Sequence, residues 1–252
     1  FKNAVLVMSG KGGVGKSSMT VQLALHLQKL GKRVGILDAD LCGPSIPRLF
    51  NADQGAVQQG VSGWIPISVG SVDNDKPAIK IISMAFLMDK PDSAVIWRGP
   101  KKTAMIQRFL TSVEWGDLDV LLIDTPPGTS DEHLAVAQGL QAFGDAINFG
   151  AMIVTTPQLI SLQDVQRQIS FCREVKVPIF GIIENMSGYI CRQCQSCNNL
   201  FSTGGGEQLA EKTGITFLGR LPIDRTVCNS QQPTILEAFE PVGTLLNAKL
   251  VY

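Results

Sequence analysis

Charge of one sign is what this sequence most plainly lacks. Its 22 basic residues meet 22 acidic ones, and only 17% of residues are charged. A surface built to hold a polyanion is not expected, so nucleic acid is excluded as a first reading. Long apolar runs are also missing. None approaches the roughly 18–20 residues of a membrane span, and Ala4–Met8 is too short for the core of a signal peptide. Histidine is limited to His26 and His133, and cysteine to six residues. Cys42, Cys172 and Cys228 are scattered, and the latter two read as ordinary buried cysteines. Cys191, Cys194 and Cys197 crowd together, which points to metal binding in a reducing, cytoplasmic setting rather than to a disulfide scaffold. The chain begins at Phe1 rather than at a methionine, and an upstream extension is expected.

What is present is an alternation of short Val/Ile/Leu runs with helical stretches. Strands are expected at Ala4–Met8, Val34–Leu37, Ile79–Ile82, Val120–Ile123, Ala151–Val154, Ile179–Ile183 and Phe217–Leu218. Near-continuous apolar content fits strands covered on both faces. Helices are expected at Ser17–Leu30, Lys101–Leu110, Asp131–Leu140 and Leu159–Cys172. The first places Leu23, Leu27 and Leu30 on one stripe and stops at Gly31. Such alternation predicts an α/β fold, a doubly wound and mostly parallel sheet with ligands beyond the carboxyl ends of its strands. Residues 51–78 break the rhythm and read as a β-hairpin insertion; residues 187–206 form an irregular, cysteine-bearing loop. With 44% hydrophobic residues and no linker, residues 1–252 are expected to form one domain.

The run Gly10-Lys11-Gly12-Gly13-Val14-Gly15-Lys16-Ser17 follows a strand and opens a helix, the context a phosphate-binding loop requires. Its glycines let backbone N–H groups wrap phosphate oxygens, and the helix N-terminus adds a favourable dipole. Lys16 is expected on the β- and γ-phosphates of ATP and Ser17 on Mg²⁺, with Ser18 as a further nucleotide contact. Asp124 ends an apolar strand, where a Mg²⁺-holding carboxylate belongs. Gly128, just beyond it, is placed to sense a γ-phosphate through its N–H. At the end of the second strand, Asp40 is assigned to the attacking water and Asp38 to the Mg²⁺ shell. The plainer reading is that both aspartates cap a turn.

Lys11 within this loop resembles the deviant phosphate loop of the nitrogenase-iron-protein and MinD class of dimeric ATPases. The resemblance implies that Lys11 reaches across a dimer interface to the partner's nucleotide and that ATP favours a closed dimer. It also implies that Asn185 reads the adenine and that Leu221-Pro222-Ile223-Asp224 closes over the base, with Pro222 and Asp224 as contacts.

Cys191-x-x-Cys194 lets two soft thiolates converge on one metal centre from a single turn. The loop offers three thiols, so one subunit cannot complete a four-cysteine site from it. His26 and His133 lie in unsuited segments. A zinc knuckle and an iron–sulfur cluster shared across a two-fold axis remain open on spacing alone; a redox dithiol has no helix N-terminus to support it.

The runs Asp38 to Pro47, Trp97-Arg98-Gly99-Pro100, Asp124-Thr125-Pro126-Pro127-Gly128-Thr129 and Glu184-Asn185-Met186-Ser187 resemble the Mrp/Nbp family of iron–sulfur scaffold ATPases over nearly the whole chain. Trp97 to Thr103 and the three clustered cysteines most resemble its smaller-scaffold branch in eukaryotic cytosolic iron–sulfur assembly. The resemblance implies an ATP-dependent scaffold with a [4Fe–4S] cluster bridging two subunits through Cys191 and Cys194, and Cys197 as an auxiliary thiol. Partners implied are a second copy or a paralogous scaffold ATPase, and recipient apo-proteins. Arg192 replaces the family's usual proline between the paired cysteines, which frees the backbone and adds a charge there. The alternatives are a MinD-type positioning ATPase and an electron-transfer ATPase of the nitrogenase-iron-protein type.

Overall fold

The computed structural model describes residues 1–53, 55–70, 76–88, 98–190, 194, 197–198, 203–224 and 235–251. The strands are β1 (Asn3–Ser9), β2 (Val34–Asp38), β3 (Gln58–Gln59), β4 (Trp64–Ile65), β5 (Ile67–Val69), β6 (Ile79–Ser83), β7 (Val120–Asp124), β8 (Asn148–Thr155), β9 (Ile179–Glu184), β10 (Tyr189–Ile190), β11 (Cys197–Asn198) and β12 (Phe217–Arg220). The α-helices are α1 (Lys16–Lys29), α2 (Ile46–Leu49), α3 (Gly99–Thr111), α4 (Asp131–Gln141), α5 (Leu159–Glu174), α6 (Gly205–Thr213) and α7 (Glu240–Asn247).

Eight strands form one sheet in the order β12-β9-β8-β1-β7-β2-β6-β5, parallel except for the edge strand β5. All seven strands expected from the apolar runs are in it. Every residue of β1, β2 and β7 is buried, because both faces are covered. The two-residue period of β1 sends Val5 and Val7 into a layer with Leu23 and Leu27 of α1 and Leu246 of α7. It sends Ala4, Leu6 and Met8 into the opposite layer, with Ile106 and Phe109 of α3 and Leu140 of α4. Among the described residues no helix is long and apolar enough to cross a membrane.

Three local readings need adjustment. Leu30, expected on the buried stripe, is the capping residue of α1 and is 47% exposed. The helix ends there because Gly31 is left-handed; the Gly31 and Lys32 N–H groups return to the Gln28 and Leu27 carbonyls. Within the irregular 51–78 stretch, β3 and β4 do pair as a hairpin, but β5 leaves it to join the main sheet antiparallel to β6. Periodicity also does not announce α2, α6 or α7, which are short and carry Pro47, Gly205–Gly206, and Pro241 with Gly243.

At the amino edge of the sheet, Asn3 binds the far end of the chain. Its Nδ2 donates to the Val251 carbonyl (2.7 Å), and its Oδ1 accepts the Val251 N–H (2.8 Å). At the opposite edge the carboxyl ends of β1, β2, β7 and β9 gather. The register pairs Asp124 with Val7 on one side and with Asp38 on the other.

Candidate functional site: a phosphate cradle over buried carboxylates

The turn from β1 into α1 tolerates little but glycine at two points. Gly15 caps α1 with φ of 86°, and a Cβ there would lie 2.4 Å from Asn185 Nδ2. A Cβ on Gly10 would lie 2.4 Å from the Cβ of Asp164 and 2.7 Å from its carbonyl carbon, so the loop lies directly against α5. Residues 11–18, including Gly12, Gly13, Val14 and Ser18, wall a cleft of about 340 Å³. Asp40, Ser45, Arg48 and Pro127 line its other side.

Asp124 lies beneath the cleft with no exposure. Its Oδ1 receives Lys16 Nζ at 2.7 Å and Thr20 Oγ1 at 2.8 Å, and its Oδ2 receives Ser17 Oγ at 2.6 Å. Lys16 thus neutralises the carboxylate expected to hold Mg²⁺. Asp38, one strand over, is equally buried. Its Oδ1 accepts the Asp40 N–H, and its Oδ2 accepts the Ser45 and Ile46 N–H groups and the Ser83 hydroxyl, at 3.1–3.3 Å. Burial and the neighbouring Asp124 push its carboxyl up to about 8, against the pull of Lys16 and the Ile46 N–H. Asp38 therefore holds the turn that follows β2. Asp40 lines the cleft, and its Oδ1 accepts the Gly43 N–H at 3.1 Å.

Other expected contacts rest on partners within the chain. Lys11 Nζ donates to Gln158 Oε1 at 2.7 Å. The Gly128 N–H, expected on a γ-phosphate, donates to the Ser9 carbonyl at 2.9 Å. That carbonyl also accepts Gln168 Nε2 at 3.3 Å, so it stays satisfied if Gly128 turns to a phosphate. Asn185 Nδ2, expected on the adenine, donates to the Val14 carbonyl at 2.8 Å. Pro222 and Asp224 lie half-buried on the loop after β12, near the chain following Asn185.

The cysteines divide. Cys172 is buried with its Sγ 3.7 Å from Met8 Sδ, and burial pushes its thiol up to about 12, which makes it a packing residue. Cys194 is exposed. Cys197 lies in β11, its backbone paired opposite Ile190 of β10. Cys191, Cys228 and Trp97 lie outside the described residues. His133 is buried, with Nδ1 3.1 Å from Ser130 Oγ, and burial pushes its imidazole down to about 4. His26 is buried in α1.

Thr20, Ser83, Gln158 and Arg48 escape the sequence reading. Thr20 has a signal in retrospect, being one turn beyond Lys16 on the same helical face. Ser83 ends a strand beside Asp38.

The family described as NUBPL iron-transfer P-loop NTPase, of the ParA group, matches residues 1–241. The cytosolic Fe-S cluster assembly factor NUBP2 of Bos taurus is 52% identical over 229 residues, covering 91% of this chain and 82% of that protein. The cytosolic Fe-S cluster assembly factor CFD1 of Yarrowia lipolytica is 55% identical over 223 residues, covering 88% and 75%. Among solved structures, a nucleotide-binding protein from Archaeoglobus fulgidus in complex with ADP superposes with a TM-score of 0.74 at 38% identity, covering 98% of this chain and 88% of that one. With a phosphate cradle set over buried carboxylates and likeness along nearly its whole length, the chain belongs to the NUBPL iron-transfer P-loop NTPase family.

Proposed function

We propose that this chain, read as one domain over residues 1–252, is a cytosolic ATPase that assembles a [4Fe–4S] cluster between two subunits and hands it to apo-proteins. One observation carries the reading: a relative 52% identical over 91% of the chain is named a cytosolic Fe-S cluster assembly factor. The cluster is cargo, and its donor set of thiolates from Cys191 and Cys194 in each of two subunits is soft and numerically sufficient. The second subunit is another copy or a paralogue.

Hydrolysis works by positioning and charge neutralisation. Mg²⁺ fits the anionic, hydroxyl-rich pair Ser17 and Asp124, where it would supply charge to the phosphates. Lys16 moves from Asp124 to the phosphate oxygens, and Asp40, in the cleft wall, orients the water. Asp40→Ala should keep nucleotide affinity within a few-fold while slowing hydrolysis by about a hundredfold, the low end for a lost general base. Turnover at the wild-type rate removes that role.

Lys11 rests on Gln158 within its own chain and would leave it to reach a partner's nucleotide. Lys11→Ala should lower hydrolysis with nucleotide affinity retained. Mixing it with Lys16→Ala chains should restore part of the activity, because one site of the mixed dimer is complete. Demonstrated mixed dimers without recovery count against action in trans.

Anaerobic reconstitution should give about four iron and four sulfide per dimer. Stoichiometric zinc that iron cannot displace, with no absorbance near roughly 400 nm, overturns the scaffold reading.

A further inference from the structure

The phosphate loop and the two ends of the cysteine segment meet at the end of β9. Glu184 closes that strand, fully buried. Its Oε1 accepts the Ser187 hydroxyl at 2.6 Å and the Gly204 N–H at 3.3 Å, and its Oε2 accepts the Gly206 N–H at 2.6 Å. Ser187 precedes the segment carrying Cys191, Cys194 and Cys197; Gly204 and Gly206 follow it. One carboxylate therefore holds both ends. The return end enters α6, where the helix dipole favours a negative charge.

The next residue, Asn185, touches the phosphate loop. Asn185 Nδ2 donates to Val14 O in the phosphate loop. Met186 then turns the chain in a left-handed conformation at φ of 58°, unusual outside glycine and held only where surroundings over-determine it. The leg leading to the cysteines is tied to the loop expected to close over the base. The Ser187 N–H donates to Leu221 O, the Ile223 N–H to Gly188 O and the Leu221 N–H to Glu184 O, each at 2.8 Å. A ligand that draws on Asn185 or displaces residues 221–223 must carry Glu184 with it or break these bonds.

We propose that Glu184 is a positioning residue that couples the nucleotide site to the cysteine segment within one chain. Movement at Asn185 and Leu221–Ile223 shifts the carboxylate that fixes both ends of that segment. The inference rests on the reading that the cysteines hold the cluster, so its test begins without metal.

Hydrogen exchange is measured on the metal-free full chain, empty, with Mg·ADP and with a hydrolysis-resistant Mg·ATP analogue. In the wild type, nucleotide should change exchange at the residue 203–206 amides by about fivefold or more. Glu184→Gln keeps the shape but makes charge-assisted bonds neutral, so the Gly204 and Gly206 amides should exchange about tenfold faster. The same variant should bind nucleotide within about twofold of wild type by calorimetry, yet show no nucleotide response at those amides. A merely structural glutamate would lower protection and leave the response intact. Ser187→Ala, which removes one of three bonds, should show a reduced response. A wild-type chain with no response, or either variant with the full one, overturns the proposal. Iron and sulfide uptake is read separately. Exchange coupling without iron uptake keeps the proposal and removes the cluster reading; iron uptake without exchange coupling does the reverse.

Discussion

Lys16→Ala is expected to remove measurable nucleotide binding and, in the same stroke, to destabilise the empty protein. Lys16 and Asp124 form a pair at 2.7 Å with side-chain exposures of 7% and 0%. The ammonium neutralises a carboxylate that water cannot reach, and in the proposed function it serves the phosphates once nucleotide binds. Truncation leaves Asp124 held only by the Ser17 and Thr20 hydroxyls. Breaking such a pair costs about 3 kcal/mol or more, which lowers the thermal midpoint by on the order of 6–12 °C. Affinity for Mg·ADP should fall by about two orders of magnitude or more, measured by calorimetry on protein shown to be folded. Lys16→Gln, which keeps a donor toward Asp124, should recover much of the stability and little of the binding. Wild-type affinity in Lys16→Ala would mean that the phosphates are held by the loop backbone alone.

Cys191→Ala and Cys194→Ala are each expected to abolish cluster binding, whereas Cys197→Ala retains most of it. A homodimer needs two thiolates from each chain, and losing one leaves two where four are required. Cys194 is exposed, which suits the proposed ligand role shared with a second subunit. Cys197 sits in a strand, opposite Ile190, which gives it a place in the fold independent of a ligand role. Iron and sulfide per dimer, with the charge-transfer absorbance, decide the matter. Retained binding in Cys194→Ala with loss in Cys197→Ala moves the pair to Cys191 and Cys197; loss in all three makes the auxiliary thiol a ligand.

The strands were legible because burial on both faces writes an unbroken apolar run, as in Val120–Ile123. The phosphate loop was legible because its conformation is local: the left-handed Gly15 and the helix that opens at Lys16 leave their mark on neighbouring positions. What could not be read are contacts between residues far apart in sequence. Thr20 meets Asp124, Lys11 meets Gln158, and Asn185 meets Val14. Each depends on β1 lying between β7 and β8, with β9 beyond, a strand order that no single segment announces. Glu184 shows the same limit. Its sequence neighbours gave it a place in a motif, but the three donors that converge on it come from both ends of a long excursion. The helix stripe that should have buried Leu30 failed for a simpler reason, since Gly31 ends the helix as soon as Leu30 has capped it.

The Asn3 clasp has a practical side. It brings residues 3 and 251 together at the edge where β1 begins, about 20 Å of strand away from the phosphate loop. A fluorophore pair or crosslink built between the start of β1 and residue 251 would therefore sit at one corner, remote from the phosphate loop, and report on the integrity of the sheet edge without touching the nucleotide cleft.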